Sequence, residues 1–187
     1  SMELGSILRN MHETEGDLTD DTFSISVGGI HSLLLPVQID TPNNTISYHT
    51  AEQSFAKIIQ DTNSNTWEVW TTDGMHYQFV FPTKTRKNDG CSTGNEVNDL
   101  IWRWSLSDVT DIHGNQIHYS YENELKGGDS NCNNEVAVYP LEIRYSNDRY
   151  RILFEREARG DFLSMWKEPE QKTLFGTDRV KQIRIEY

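Results

Sequence analysis

Carboxylates are the most abundant groups in this chain that could do chemistry, and they recur in pairs: Asp20-Asp21, Asp108 with Asp111, Glu155 with Glu157, and Glu168 with Glu170. A glycosidase needs two of them facing one cleft. The spacing converges none, and on strands such pairs read as charge on a solvated sheet face. The histidines, His12, His31, His49, His76, His113 and His118, are scattered. They form no His-Glu-x-x-His, no close His/Cys pair and no zinc-ribbon spacing, so no metal ligand is assigned. Nothing local marks a Ser or Cys nucleophile. The stretches NDGCSTGNEVND and GGDSNCNNE offer oxygens to calcium, but not at the alternate positions of a calcium loop closed by a later Glu. They read as exposed polar insertions.

The tryptophans carry the remaining option, a stacking platform for sugars. Trp70 and Trp166 are the better candidates, because Trp102 and Trp104 share an apolar face and read as core. No catalytic residue, cofactor or metal is therefore expected, and a sugar ligand only if Trp70 and Trp166 form such a platform.

The elements that must position these residues are strands. Leu100, Trp102, Trp104 and Leu106 alternate with Arg103, Ser105 and Ser107, and beyond His113-Gly114 the alternation resumes at Ile117, Tyr119 and Tyr121. With His113-Gly114 as a two-residue loop, Ile112 faces Asn115, Thr110 faces Ile117, Leu106 faces Tyr121 and Trp102 faces Leu125. Every apolar residue then lands on one face. Such a turn wants φ > 0 at both central residues, and a one-residue slip would reverse the faces.

A second hairpin is expected over 66–72 and 75–81 around Asp73-Gly74. In a third, over 141–155, an Asn147-Asp148 loop sets Tyr145 against Tyr150, Ile143 against Ile152 and Leu141 against Phe154. Further strands are read at 22–27, at 31–39 with Pro36 marking an edge or a bulge, at 46–48, at 161–166 and at 179–187. Residues 52–59 fit a short helix or a strand, and context favours the strand. The fold class expected is all-β: a mostly antiparallel meander of successive hairpins forming a curved sheet or sandwich, with little helix. Residues 1–20 read as a loosely held polar lead-in with Ser1-Met2 a cloning remnant. Residues 21–187 read as a single β-rich domain that stops on a strand like a fragment of a larger protein.

A chain of 187 residues buries roughly two thirds of its unfolded surface, enough for a core without disulfides. The hydrophobic fraction is only 35%, but 11% of residues are aromatic, as when large rings cover one face of half-buried strands. A net charge of -12 argues against nucleic acid, whose phosphates call for Lys and Arg, and against anionic membranes. No apolar run approaches the roughly 18 residues of a membrane span. The opening SMELGSILRN lacks the apolar core of a signal peptide.

The turn sequence DIHGNQIHYSYEN resembles the D-x-N-G-N-x-I-x-Y-x-Y signature of Rhs and YD-repeat-like proteins. The segments DDTFSISVGG, LLLPVQI, FAKIIQ, TWEVWTTDGMHYQF, IWRWSLSDVTDIHGNQIHYSYEN, YPLEIRYSND and YRILFERE follow the order of one family. The chain is similar, from about Asp21 onward, to the N-terminal region of the virulence plasmid B protein and of the B component of tripartite insecticidal toxin complexes. It departs at His113, where the family usually has Asn, and in insertions at 87–98 and 126–134. The resemblance implies a non-catalytic part of a secreted or cell-surface bacterial toxin, within a β-rich shell that encloses a toxic C-terminal cargo. Its implied partners are the remainder of its own polypeptide and a YD-repeat shell partner. Enzymatic activity in such families belongs to other segments, whose motifs this chain does not carry. The competing reading is a carbohydrate- or surface-binding β-sandwich.

Cys91 and Cys132 sit in the two insertions. In the register above Leu100 faces Gly127, so both insertions leave one open end of the ladder. A bridge between them closes a loop worth about 3 to 4 kcal/mol in the chain-entropy model and places maturation outside the reducing cytosol; two unrelated exposed thiols are the alternative. Non-reducing peptide mapping should return a linked Cys91–Cys132 peptide, and two freely alkylated thiols would refute it.

Overall fold

The computed structural model describes residues 4–10, 20–86, 99–126, 134–145, 148–160 and 176–187. Its strands are β1 (Ser6–Asn10), β2 (Thr22–Val27), β3 (Ile30–Asp40), β4 (Thr45–Thr50), β5 (Lys57–Asp61), β6 (Thr66–Trp70), β7 (His76–Phe79), β8 (Phe81–Arg86), β9 (Asp99–Ser105), β10 (Asp108–Thr110), β11 (Gln116–Lys126), β12 (Asn134–Tyr145), β13 (Tyr150–Ala158) and β14 (Asp178–Glu186). They form one 14-stranded sheet in the order β14-β13-β12-β11-β10-β7-β6-β5-β4-β3-β2-β1-β9-β8. Every ladder is antiparallel. The expected curved meander is what forms.

Period-two patterning sets which side is core. On β6, Trp67 and Val69 are buried while Thr66, Glu68 and Trp70 are half-buried on the other face. Ile7, Ile25, Leu34, Tyr48, Ile58, Trp67, Phe79 and Trp104 join in one apolar cluster. The sheet must curl strongly to build it: Trp67 on β6 and Trp104 on β9 are six places apart in the strand order, yet their rings are 5.7 Å apart. Strand twist and the bulges at Pro36–Gln38 and Thr83–Lys84 supply the curvature. Pro36 thus marks a bulge, and β3 is an interior strand.

The long strand expected over 100–110 is two strands. β9 pairs with β8 and β1, whereas β10 pairs with β7 and β11. The opposing arm breaks likewise between β7 and β8, and one register runs across both breaks, with Gln78 opposite Asp108 and Phe81 opposite Ser105. At the corner the Val80 N–H donates to Ser107 Oγ at 3.1 Å, and the Ser107 N–H donates to the Gln78 carbonyl at 2.7 Å. Buried Ser105 and Ser107 leave room for that crossing. The face shared by Leu100, Trp102 and Trp104 is also interrupted, because the ladder skips Trp102 at a bulge. Trp104 is core and Trp102 is half-buried.

The turn differs by one residue from the expected register. Val109 faces Ile117 and Thr110 faces Gln116, so the loop is Ile112-His113-Gly114, closed by Asp111 and Asn115. Only Gly114 has positive φ, at 80°. β11 then pairs with β12 along its length, with Leu125 opposite Glu135, so Trp102 does not face Leu125. The ladder that brought the two insertions to one end is therefore absent; Cys91, Cys132, Trp166 and the strand expected over 161–166 lie outside the described residues. The third hairpin keeps its expected register, with Tyr145 opposite Tyr150 and Ile143 opposite Ile152. Residues 52–59 yield strand only from Lys57 onward. Ser6–Asn10, within the expected lead-in, is a strand paired on both sides, and Ile7 is fully buried.

The outer side of β8 meets β11 and β12 through side chains. Thr83 Oγ1 donates to Asn123 Oδ1 at 3.2 Å, and Asn123 Nδ2 donates to the Pro82 carbonyl at 3.3 Å. The Lys84 N–H donates to the Glu135 carboxylate, and Phe81 packs on Tyr121 at 5.5 Å. Pro82 offers no N–H, which suits a strand that no described strand pairs on that side.

The β6–β7 turn repeats the β10–β11 geometry: the Thr71 N–H donates to the Met75 carbonyl, and the Gly74 N–H to the Thr71 carbonyl, both at 3.0 Å. Gly74 has φ 85°, and a Cβ there would sit 2.1 Å from Ile112 Cγ2 of the neighbouring turn. Gly74→Ala should therefore lose about 1 to 3 kcal/mol, from left-handed strain and the clash. Ile112→Ala should recover only the clash share, read as a non-zero coupling in a double-mutant cycle by urea unfolding.

Candidate functional site

The residues of the turn signature converge on one job. Asp111 Oδ1 accepts from the His113 N–H at 2.8 Å and the Asn115 N–H at 2.9 Å, while Asn115 Nδ2 donates to Asp111 Oδ2 at 2.7 Å. These bonds, led by those from Asn115, hold the Asp111 carboxyl below its usual range. Down β11, Ile117 and Tyr119 pack against the core, and the buried Tyr121 hydroxyl donates to the Leu106 carbonyl at 2.7 Å. The signature is a turn plus a row of anchors, and its His113 is exposed.

The interior gathers aromatics from four strands. Phe23 meets Tyr48, Trp67 and Trp104 edge-on at 6.0, 5.1 and 5.8 Å. Trp104 Nε1 donates to the Asn65 carbonyl at 2.9 Å, and the Tyr48 hydroxyl donates to Gln60 Oε1 at 2.9 Å. Arg9 lies over Phe23 and Trp104 at 5.4 and 5.6 Å, and its guanidinium is 3.5 Å from the Asp21 carboxylate. Burial lowers the Arg9 pKa against the opposing pull of Asp21. A cation held against ring faces and one carboxylate is a structural use of charge.

The outer face holds the remaining polar chemistry. His118 Nδ1 bonds the Asp108 carboxylate beside a hollow of about 330 Å³ lined by His118, Tyr119, Ser120, Glu142, Arg144 and Asp148. A nucleophile relay needs a hydroxyl on that imidazole. Ser120, two residues along the strand, instead directs its hydroxyl to the Glu142 carbonyl at 3.5 Å. Glu142 in turn binds Arg144 at 2.7 Å and Arg151 at 3.1 Å. A second hollow, of about 480 Å³, is walled by His49, Ser54 and Phe55 among others.

Trp70 projects from the outer face, but both sides of its ring are taken. His76 stacks on it at 4.6 Å with an interplanar angle of 3°, and Lys57, from the strand on the opposite side, sits 4.6 Å from the ring centroid. This sandwich leaves no ring face of Trp70 for a sugar to stack on.

Among the described residues the carboxylates of the sequence pairs that meet a cation have separate basic partners, and Glu168 and Glu170 lie outside the described residues. Glu155 binds Arg184 and Glu157 binds Arg179, both at 2.9 Å, Asp21 binds Arg9 and Asp108 binds His118. Among the described residues no group of three His, Cys, Asp or Glu side chains is arranged to hold a metal ion. Arg9 carries no mark in the sequence, since a five-residue strand beside a polar run shows too little alternation to read, and Asp21 stands out there only as half of the Asp20-Asp21 pair.

No family model matches the sequence, and no curated protein matches it. Solved structures do. The chain is similar to part of TcdB2-TccC3, with 18% identity and TM-score 0.56 over 86% of this chain and 10% of that one. It is similar to the N-terminal domain of effector protein SpvB from Salmonella typhimurium strain LT2, with 15% identity and TM-score 0.58 over 95% of this chain and 66% of that one. A third match is the Photorhabdus luminescens Tc holotoxin pore, at 14% identity and TM-score 0.53 over 87% of this chain and 9% of that one. The likeness is one of fold, and the chain spans about a tenth of the TcdB2-TccC3 chain.

Burial raises the pKa of Tyr77, Tyr119 and Tyr121 and pushes Tyr48 up to about 12. In the unfolded chain these phenols ionise near 10. Their stabilising contribution is therefore whole below about pH 10 and is lost as pH rises toward the folded values. Thermal melts followed by circular dichroism should show the melting temperature falling from about pH 10 upward, with a shallower fall for Tyr48→Phe.

Proposed function

We propose that this chain is a non-catalytic structural segment of a secreted, Rhs-like or insecticidal-complex-like toxin, folding as part of the β-rich shell around a toxic C-terminal cargo. The observation that carries this reading is the fold likeness, which spans most of this chain but only a small part of the Tc toxin chains. The use of the signature residues supports it: Asp111, Gly114 and Asn115 build a turn, and Ile117, Tyr119 and Tyr121 anchor it. The partners are then the remainder of the same polypeptide and a YD-repeat shell partner. The carbohydrate-binding alternative loses Trp70 to its Lys57–His76 sandwich.

Co-expression with the adjoining segments of the parent polypeptide and with a YD-repeat partner tests the reading. A complex that co-elutes in gel filtration and resists limited proteolysis is the expected result. Failure to co-elute, or glycan binding at low micromolar affinity, would overturn it.

A further inference from the structure

The two glycine-closed turns share one form but place their aspartates differently. At 111–115 the capping carboxylate, Asp111, opens the turn, and the residue after it is Ile112. At 71–75 the carboxylate that bonds inside the turn is Asp73, in the place His113 has in the other, and Gly74 follows it directly. Geometry fixes that glycine: its φ is 85°, and a Cβ would meet Ile112 Cγ2 at 2.1 Å. The fold requires the glycine and the turn uses the aspartate, so an Asp-Gly bond stands at an exposed tip.

Such a bond can rearrange with no co-reactant but water. The Gly74 nitrogen attacks Cγ of the protonated Asp73 carboxyl, a C–N bond forms, and the carboxyl OH leaves as water with the amide proton. The product is a five-membered succinimide, and one water then opens it. Breaking the new N–Cγ bond restores aspartate. Breaking the bond from Gly74 N to the Asp73 main-chain carbonyl carbon gives isoaspartate, in which the chain runs through Cβ and Cγ. Glycine hinders the attack least, having no side chain beside the nitrogen, whereas Ile112, branched at Cβ, shields its own.

In the closed turn three hydrogen bonds oppose the reaction. The Gly74 N–H donates to the Thr71 carbonyl at 3.0 Å. The Thr71 hydroxyl donates to Asp73 Oδ1, and the Met75 N–H reaches the same oxygen at 3.4 Å. Those to the carboxylate, led by the Thr71 hydroxyl, hold the Asp73 carboxyl below its usual range, and an ionised carboxylate has no OH to lose as water. Two of the three bonds end on Thr71, which also closes the turn through its N–H to the Met75 carbonyl at 3.0 Å.

We propose that Asp73–Gly74 is a modification site, converted to isoaspartate when the 71–75 turn opens, and that the Thr71 hydroxyl is the catch that keeps it unconverted in the folded chain. Conversion lengthens the main chain by one atom where Gly74 already abuts Ile112, so it presses on the neighbouring turn as well. The reaction involves this chain and water alone and stands apart from the shell reading.

Purified chain held at neutral pH, folded or in guanidinium chloride, is sampled over weeks; isoaspartate is counted with a protein isoaspartyl methyltransferase and located by peptide fragmentation. It should appear at Asp73, several-fold faster in denaturant than in the folded chain, since opening of the turn gates the folded reaction. Folded Thr71→Val, which keeps the shape of the side chain and loses the hydroxyl, should convert several-fold faster than wild type. Thr71→Ser, which keeps the hydroxyl, should stay slow, and Asp73→Glu should give no product at that position. Melting curves confirm that each variant is folded, and converted chain should melt below unconverted chain. Equal rates in folded and denatured chain, no product at Asp73 in denaturant, or a folded Thr71→Val as slow as wild type would overturn the proposal.

Discussion

One contact constrains the rest of the molecule: Trp67 against Trp104, rings 5.7 Å apart on strands six places apart in a single sheet. A sheet that brings such distant strands together has one curvature available to it, and Phe23, Tyr48 and Ile58 fill the space that curvature encloses. Large rings are suited to this, because a single sheet has no second layer to pack against and each inward side chain must reach far. The Trp104 indole N–H closes on the Asn65 carbonyl, so the ring is held by direction as well as by burial.

The corner at Val80 and Ser107 is what lets so long a sheet bend. Two paired arms keep a common register while exchanging outer neighbours, so the order of strands changes without a crossover loop. Small side chains at Ser105 and Ser107 fit in the crossing, and the Ser107 hydroxyl, accepting from the Val80 N–H and donating to the Ser105 carbonyl, supplies hydrogen bonds that the split ladder loses. Two glycine-closed turns of the same form, at 71–75 and 111–115, then lie side by side, with Ile112 covering Gly74.

How legible this was in the sequence depended on whether one local pattern sufficed. The third hairpin was readable because Tyr145, Ile143, Tyr150 and Ile152 alternate cleanly about a loop whose Asp148 tolerates positive φ. The Asp111 turn was readable as a turn but not in its register, because the Asp111 carboxylate caps two N–H groups and so allows a three-residue loop where spacing admits two. The break at Ser105–Ser107 was hidden, since alternation continues through it and only the change of neighbours reveals it. Trp70 looked available as an outward ring, and its loss as a platform depends on cross-strand partners that Lys57 and His76 supply from separate strands. Arg9 was invisible and Asp21 was legible only as one of a carboxylate pair, since their pairing takes its meaning from the rings beneath Arg9.

The seam between β8 and the β11–β12 hairpin has a mechanical meaning. Backbone-paired strands can slide only in two-residue steps if their faces are to be kept, so each ladder is a ratchet with coarse teeth. Among the described residues, the Thr83, Asn123 and Glu135 side chains join the seam, to one another or to the Pro82 carbonyl and the Lys84 N–H, and such bonds impose no two-residue register. This seam, among the described residues, is thus held differently from the backbone-paired ladders of the sheet.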